Sequence, residues 1–322
     1  NKLLGDIMDE YSEKDFTAQR VVSTPKHYAY LKIAEGCNRN CSYCAIPLIR
    51  GKFVSRPIDD LVGEAKQLVA QGVKELLVIA QDTTYYGMDI YGKRALAELL
   101  ERLAVESGAK WIRLHYTFPS SFPDDVIEVM KKYKCICNYI DIPLQHISTD
   151  VLASMKRGID KEGTLQLMQM FRNKLPDVAI RTALIVGYPN ETEEDFEQLK
   201  DFVRDMRFDR LGVFRYSAEE GTPSFPLGDT VSEEEKQRRM DEIMELQETI
   251  SIEKNSEKVG KEYMVLIDRR EGDFWVGRTE YDSPEIDNEV LISAEEMLVE
   301  GRFYKVRIIE AMEYDLMAEL CD

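Results

Sequence analysis

The sequence predicts an α/β protein: an open, partial (β/α)6 barrel of the TIM type, followed by a small antiparallel β-barrel. Over residues 28–256, short β-branched and aromatic runs alternate with amphipathic segments, as in a parallel sheet with outer helices. These runs number six, fewer than the eight strands of a closed barrel. From residue 257 onward, strand-like runs separated by glycines predict the second barrel.

Six short apolar runs are the predicted strands of the first region. Their composition is typical of strands that are buried on both faces of a parallel sheet. The carboxyl ends of such strands form one rim, where barrels of this kind carry their chemistry. The predicted strands are Tyr28–Ala34, Val73–Ala80, Trp111–Tyr116, Tyr139–Pro143, Ala179–Val186 and Leu211–Tyr216.

Helices are predicted between these strands and after the last one. The segment Lys93–Ser107 places its leucines on one helical face. Thr192 with Asp195, and Ser232 with Glu235, have the spacing of capping boxes. These two pairs predict where the last two helices begin.

The chain is interpreted as three regions. Residues 1–27 are predicted to be a linker with a short helix at Leu3–Tyr11, residues 28–256 the (β/α) domain, and residues 257–322 the small barrel. A five-stranded barrel of the oligonucleotide-binding type fits the length of the last region. Its predicted strands are Glu262–Arg269, Asp273–Thr279, Glu289–Ile292 and Arg302–Glu310, with further strand character at the C-terminal end.

The charge of the chain is strongly acidic and uneven. The net charge is −18, and residues 257–322 hold eighteen Asp and Glu against eight Lys and Arg. Binding to phosphates needs clustered Lys and Arg, so nucleic acid is not expected as a direct substrate. A basic protein is the expected partner, although acidity that serves only solubility is the alternative.

Two further features bear on the location of the protein. No run of eighteen apolar residues occurs, so no membrane span is predicted. Six cysteines, three of them clustered, suit a reducing cytoplasm better than a disulfide scaffold. The sequence therefore predicts a cytoplasmic protein.

Three cysteines directly after the first predicted strand are the main functional signal. Cys37, Cys41 and Cys44 have the spacing C-x3-C-x2-C. Three thiolates can hold three irons of a 4Fe–4S cluster and leave the fourth iron without a protein ligand, which is typical of a site that does chemistry. Two alternatives stay open: a structural zinc site completed by Cys135, Cys137 or a histidine, in a non-catalytic binding module, and inert buried thiols.

Polar residues also follow other predicted strands. Gln81 follows the second strand, His115 closes the third, and Gln145 follows the fourth. Each of them alone is also typical of a turn or a helix cap. Because all are expected at one mouth with the cysteine loop, which includes Tyr43, their convergence favours an enzyme.

Several motifs resemble the methylthiotransferase family of radical S-adenosylmethionine (SAM) enzymes, over nearly the whole chain. The tail resembles the TRAM domain that ends these proteins. The motifs are CNRNCSYCAIP at residues 37–47, RG at 50–51, SRP at 55–57, IAQDT at 79–83 and VGYPNET at 186–192.

The resemblance implies a site. Cys37, Cys41 and Cys44 are then the ligands of a SAM-cleaving 4Fe–4S cluster, and SAM lies across the strand ends near Tyr43, Gln81, Gln145 and Arg181. Arg181 lies inside an apolar strand and needs an anionic partner, for which the carboxylate of SAM is one candidate. A salt bridge to Asp141 is the alternative.

Two more motifs, DIPLQHIS at residues 141–148 and MKRG at 155–158, resemble one branch of that family. This branch adds a methylthio group to the β-carbon of an aspartate in the small-subunit ribosomal protein S12. The alternative is a tRNA methylthiotransferase of the MiaB type. The implied partners are that basic ribosomal protein and an external electron donor, with the small barrel as a lid over a lateral opening.

The chain departs from the family pattern at its beginning. Family members carry an N-terminal domain whose three cysteines hold a second 4Fe–4S cluster, and no cysteine precedes Cys37 here. We therefore expect that this domain is missing and that residues 1–27 are its linker. A chain with one cluster is expected to be incomplete for sulfur insertion.

Overall fold

The larger domain of the protein is built around six parallel strands. The structure is a computed structural model that describes residues 24–321, so the predicted helix at Leu3–Tyr11 lies outside the described residues. The first eight strands are β1 (Tyr28–Lys32), β2 (Ala34–Glu35), β3 (Val54–Ser55), β4 (Glu75–Ile79), β5 (Trp111–Leu114), β6 (Tyr139–Asp141), β7 (Ala179–Val186) and β8 (Arg210–Arg215).

The parallel strands lie in two sheets with the orders β1-β4-β5 and β6-β7-β8. A parallel bridge between Ile112 in β5 and Ile136, just before β6, links the two sheets. The strands therefore follow their chain order, and the predicted open (β/α)6 architecture is confirmed. Strands β2 and β3 form a separate antiparallel ribbon that brackets the cysteine loop.

Helices connect the parallel strands and cover the outer face of the sheets. Thr192 and Asp195 form the predicted reciprocal capping box. Ser232 accepts a hydrogen bond from the backbone N–H of Glu235, but the Glu235 carboxylate binds Arg238 and Arg239 instead. The helices are α1 (Ile46–Arg50), α2 (Ile58–Ala70), α3 (Leu96–Glu106), α4 (Asp124–Lys132), α5 (Thr149–Ser154), α6 (Lys161–Lys174), α7 (Glu193–Met206) and α8 (Glu233–Ser256).

Five further strands form a closed barrel in the order β10-β11-β13-β12-β9. The predicted small barrel is confirmed with one difference, because β11 and β13 pair in parallel while the other neighbours are antiparallel. The described helix α8 ends at Ser256, and the division of the chain at residues 256 and 257 stays a prediction. The strands are β9 (Glu262–Glu271), β10 (Phe274–Arg278), β11 (Val290–Ser293), β12 (Phe303–Ala311) and β13 (Leu316–Leu320).

The small barrel packs against the amino ends of the parallel strands, which we call the base. Trp111, the first residue of β5, packs edge-to-face against Phe303 with ring centroids 4.8 Å apart. Leu266 is buried in the same apolar cluster as Tyr139 and Ala179, the first residues of β6 and β7. The expectation of a lid was therefore wrong, because the small barrel covers the edge of the sheet opposite the cysteine loop.

Among residues 24–321, no helix combines the length and the apolar content needed to cross a lipid bilayer.

Candidate functional site

A cavity of about 430 Å³ opens at the carboxyl ends of the parallel strands, and we call it the mouth. All three motif cysteines line it, as do three of the four other predicted site residues, Tyr43, Gln81 and Gln145. Arg181 does not. The remaining lining residues are Lys32, Arg39, Ile46, Pro47, Ile79, Ala80, Tyr116, Thr117, Phe118, Pro143 and Arg157.

The cysteine loop begins with a turn that only glycine fits. Gly36 has φ +76°, and a Cβ there would lie 2.1 Å from the carbonyl oxygen of Lys52. The backbone N–H of Cys37 donates to Gly51 (3.1 Å), and Asn38 Oδ1 accepts from the N–H of Phe53 (3.1 Å). These bonds close the loop across the β2–β3 ribbon, so the short-range sequence largely determines its shape.

Ser42 fastens the middle of the cysteine loop to distant parts of the chain. Its N–H donates to the carbonyl of Met155 (3.0 Å), and its hydroxyl donates to the carbonyl of Ser154 (2.7 Å). The hydroxyl also lies 2.9 Å from the Tyr188 hydroxyl. Ser42 is buried, and its neighbours Cys41 and Cys44 are thereby held in place.

Two arginines that we had not predicted as site residues lie beside the thiols. Arg157 donates from Nη1 to Cys41 Sγ (3.4 Å) and to the hydroxyl of Tyr43 (3.3 Å). The backbone N–H of Arg39 donates to Cys37 Sγ (3.4 Å). A signal for both existed, because Arg39 lies inside the cysteine motif and Arg157 inside the MKRG motif.

Phe118 separates the two guanidinium groups. The guanidinium carbon of Arg39 lies 4.0 Å from the Phe118 ring centroid, and that of Arg157 lies 4.3 Å from it. Such cation–π contacts orient the planar groups and hold them in a partly desolvated site. Arg39 is further fixed by an ion pair with Asp82, whose side chain caps the 3-10 turn Thr83–Tyr85.

The thiols are shielded from water to different degrees. Burial raises the pKa of Cys37 and of Cys44. Hydrogen bonds from the backbone N–H groups of Arg39 and Ile46 oppose this effect. Without a cation these two thiols therefore favour the protonated form, and binding of iron as thiolates would release protons.

The donor set fits an iron–sulfur cluster. Among the described residues, no three His, Cys, Asp or Glu side chains form a group that could hold a single metal ion. The ligands of a 4Fe–4S cluster bind different irons, so they surround a volume and do not converge on one point. Cys137 is buried at the base and cannot complete a zinc site with the motif cysteines.

Two buried polar groups at the mouth lack partners among the described residues. Arg157 Nε and Gln81 Oε1 have no hydrogen-bond partner. Arg157 is also 4% exposed, and no described carboxylate forms an ion pair with it. A buried cation without a carboxylate is costly unless an anion is added, and a thiolate-bound cluster would supply that anionic charge.

Gln145 and Tyr116 have backbone conformations that side chains rarely adopt. Their φ angles are +73° and +53°. Gln145 is held there by hydrogen bonds to Ala183 (2.9 Å) and from Ile185 (2.8 Å) on β7. Such strain is concentrated at functional sites, and here it turns both residues toward the mouth.

Arg181 lies outside the mouth. Its Nη1 is 3.1 Å from Asp141 Oδ1, and its Nε is 3.4 Å from Asp287 Oδ1 of the small barrel. The salt bridge to Asp141 is therefore the alternative that the structure contains. The physical reason is position, since Arg181 is the third residue of the eight-residue strand β7 and lies toward the base.

Comparisons with known families agree with this geometry. The family described as the Radical SAM superfamily matches residues 31–203, and the TRAM domain matches residues 259–321. Among solved structures, coproporphyrinogen III oxidase (HemN) from Escherichia coli, a radical SAM enzyme, superposes with a TM-score of 0.54 at 16% identity. The match covers 84% of this chain and 71% of that chain.

A second solved structure is the radical SAM methyltransferase TsrM from Kitasatospora setae. It has a TM-score of 0.51 at 16% identity over 79% of this chain and 45% of that chain. At 16% sequence identity, both structures show a similarity of fold alone. Together with the family matches, the fold and the three-cysteine mouth define a radical SAM protein with a C-terminal TRAM domain.

Curated relatives are much more similar, and each is named ribosomal protein uS12 methylthiotransferase RimO. The relative from Christiangramia forsetii is 56% identical over 98% of this chain and 70% of its own length. The relative from Flavobacterium johnsoniae is 58% identical over 95% of this chain and 70% of its own length. The relative from Phocaeicola vulgatus is 51% identical over 99% of this chain and 74% of its own length. The chain belongs to the RimO family.

Proposed function

We propose that this chain acts as a radical SAM methylthiotransferase on ribosomal protein uS12, at the β-carbon of an aspartate. The observation that carries the proposal is the meeting of Cys37, Cys41 and Cys44 on one cavity at the carboxyl ends of the strands. The relatives at 51% to 58% identity support the choice of substrate.

The three cysteines would hold a 4Fe–4S cluster at the mouth, and SAM would bind beside it. The bound cluster supplies the electron that splits the sulfonium of SAM, which makes a radical able to take hydrogen from an unactivated carbon. An external donor must deliver that electron. Gln81 and Gln145 line the same cavity and provide amide groups for the polar atoms of SAM.

The chain's own residues prepare this site before any ligand arrives. Arg157 places a guanidinium nitrogen 3.4 Å from Cys41 Sγ, where it can donate to the sulfur that would bind iron. Phe118 and the two arginine planes on its faces exclude water from one wall of the mouth. Ser42 keeps the loop from moving away from helix α5.

A protein substrate fits the surface around the mouth. Large apolar side chains are exposed on the cysteine-loop helix α1 and on the 3-10 turn Phe225–Leu227, which the bond from Ser224 N–H to the Ser42 carbonyl joins to that loop. Such patches are typical of surfaces that bind other proteins. The exposed apolar residues of these two elements are Leu48, Ile49, Phe225 and Leu227, and Val54 of β3 is exposed as well.

The small barrel exposes less negative charge to a basic partner than its composition suggests. Asp268, Asp282 and Asp287 are used in ion pairs with Arg278, Arg210 and Arg181 at the base. The acids that stay exposed include Asp273, Glu295, Glu296, Glu300 and Glu310. These leave a negative surface that favours a ribosomal protein over nucleic acid, and a ribosomal substrate implies action in the cytoplasm.

Hydrogen transfer from the substrate tests this proposal without requiring sulfur insertion. The chain is purified anaerobically, reconstituted with iron and sulfide, reduced, and given SAM with uS12 whose aspartates carry deuterium at the β-carbon. We expect 5′-deoxyadenosine that contains deuterium, read by mass spectrometry. Zinc without iron in the purified protein, or deuterium-free product with uS12 and modification of tRNA instead, would contradict the proposal.

A further inference from the structure

We propose that residues 281–288 of the small barrel, the base loop, position the wall of the mouth through His115 and Asp141. This goes beyond the proposed function, although its effect on SAM rests on that function. The small barrel then supports the geometry of the mouth, in addition to presenting an acidic surface to a protein partner. The argument follows one chain of contacts from the base loop to the thiols.

The base loop enters the open end of the parallel sheet. Ser283 and Asp287 are buried there, and the N–H of Ser283 donates to Asp287 Oδ2 (2.8 Å). Tyr139, the first residue of β6, donates its hydroxyl to the same oxygen (2.7 Å). The loop is therefore fixed to the sheet by its own carboxylate.

Two contacts run from the base loop to Asp141 at the end of β6. The hydroxyl of Ser283 lies 3.0 Å from Nε2 of His115, and Nδ1 of His115 lies 3.2 Å from Asp141 Oδ2. Because a carboxylate only accepts, Nδ1 of His115 is the donor in the contact with Asp141, and Nε2 is left to pair with the Ser283 hydroxyl. In parallel, Arg181 connects Asp287 with Asp141.

Asp141 determines the backbone of the wall. Its Oδ2 accepts from the N–H of Tyr116 (3.1 Å), and its main-chain oxygen accepts from both the N–H (2.9 Å) and the hydroxyl (2.7 Å) of Thr117. Tyr116 is the residue with φ +53°. A strained residue persists only when its surroundings determine it, and a carboxylate bond to its N–H is such a restraint.

The wall in turn orients the groups at the thiols. Residues 116–118 all line the mouth, and Phe118 stacks between Arg39 and Arg157. Arg157 donates from its guanidinium to the sulfur of Cys41, and Arg39 donates from its backbone N–H to the sulfur of Cys37. Ser283 and Asp287 are thus positioning residues, since neither of them lines the mouth and His115, Arg181 and Asp141 connect them to it.

Hydrogen–deuterium exchange of the cluster-free chain tests the first half of this inference. Ser283→Ala removes the hydroxyl that holds His115, and we expect roughly three- to tenfold faster exchange in the peptide that contains the N–H groups of Tyr116 and Thr117. Exchange in helix α2 should stay unchanged. Ser293→Ala, at an exposed serine of the same barrel, is the matched control.

SAM affinity of the reconstituted chain tests the second half. Ser283→Ala and Asp287→Asn should weaken SAM binding about threefold to tenfold at unchanged iron content, whereas Asp273→Asn, at an exposed acid, should not. Unchanged exchange at residues 116–117 in Ser283→Ala, or faster exchange throughout the barrel, would overturn the inference. Because exchange needs no cluster, that result stands even if the wild type fails to cleave SAM.

Discussion

The two ends of the parallel sheet use the same kinds of residues in opposite ways. At the base, Glu75 lies between Arg113 and Arg278, and all three side chains are at most 2% exposed. At the mouth, Arg157 is buried beside thiols and an aromatic ring, with no carboxylate partner among the described residues. The buried arginines of the base face a carboxylate of the chain itself, whereas the buried arginine of the mouth faces thiols and has room for an added anionic group.

The electrostatics of the two ends follow from this difference. Burial by itself would raise the pKa of Glu75, but the positive charges of Arg278 and Arg113 outweigh burial and hold the pKa below its ordinary value. At the mouth, burial of Cys37 and Cys44 prevails and raises their pKa. Four predictions test this contrast, from the largest expected effect to the smallest.

Loss of one motif thiol should have the largest effect. Cys41→Ala removes a proposed ligand that Arg157 contacts, so iron loading of the intact cluster and cleavage of SAM should fall to background. Iron and sulfide analysis with detection of 5′-deoxyadenosine measures both. Cys135→Ala, outside the mouth, is the control. A Cys41→Ala chain that binds a full cluster and cleaves SAM would refute the assignment.

Breaking the base should cost stability without changing the mouth. Glu75→Gln leaves two buried guanidinium groups without their shared carboxylate, which should lower the free energy of unfolding by about 3–5 kcal/mol. Denaturant unfolding measures this. Iron content of the folded protein should stay at the wild-type level. Glu106→Gln, at an exposed ion pair, should change little, and an equal loss there would contradict the contrast.

Arg157→Lys should have a smaller effect that is confined to the mouth. Lysine keeps the charge but loses the planar fork that contacts Cys41, Tyr43 and Phe118. Loss of one charged hydrogen bond predicts about tenfold faster release of iron to a chelator. Arg204→Lys on the exposed face of α7 serves as control. Wild-type release rates in Arg157→Lys would show that the guanidinium contact to Cys41 does not help to retain iron.

The smallest effect concerns His146, which follows the strained Gln145. Burial lowers the pKa of His146 to about 3. The positive charge of Arg239 also lowers this pKa, whereas the negative charge of Asp195 raises it. Between that value and about 6.5, the unfolded chain binds the extra proton at this residue, so the contribution of His146 to stability should fall as pH decreases in this window.

His146→Asn keeps an acceptor for the N–H of Ser148 and removes the titration. At about pH 5.5, the wild type should lose roughly 1 kcal/mol more than the variant, relative to pH 7.5, in denaturant unfolding. Equal pH slopes for the two proteins would show that His146 does not titrate on unfolding.

Local patterns predicted much of the fold. The alternation of apolar runs located all six parallel strands, and Ala179–Val186 was correct at both ends. The Thr192–Asp195 spacing predicted a capping box that the structure contains. The sequence spacing also predicted that the three cysteines lie at one mouth, because they fall within eight residues directly after one strand and such a short loop must stay near the end of that strand.

Long-range partners were not predictable in the same way. Arg157 lies 116 residues from Cys41, and Asp287 lies 106 residues from Arg181. The apolar character of Trp111 and Phe303 indicated burial but not that the two rings would contact each other. The sequence of the small barrel is equally compatible with a position over the mouth, as a lid, and with a position at the base, as a support.

The sequence by itself determined the three-cysteine loop, the strand order and the helix caps, since these depend on spacings within a few residues or on regular alternation. The tertiary structure decided which cation faces which sulfur, where the small barrel docks, and why Arg181 serves the base. The physical reason is that a charged side chain can satisfy itself with any opposite charge within reach, and only the complete path of the chain decides which charge that is.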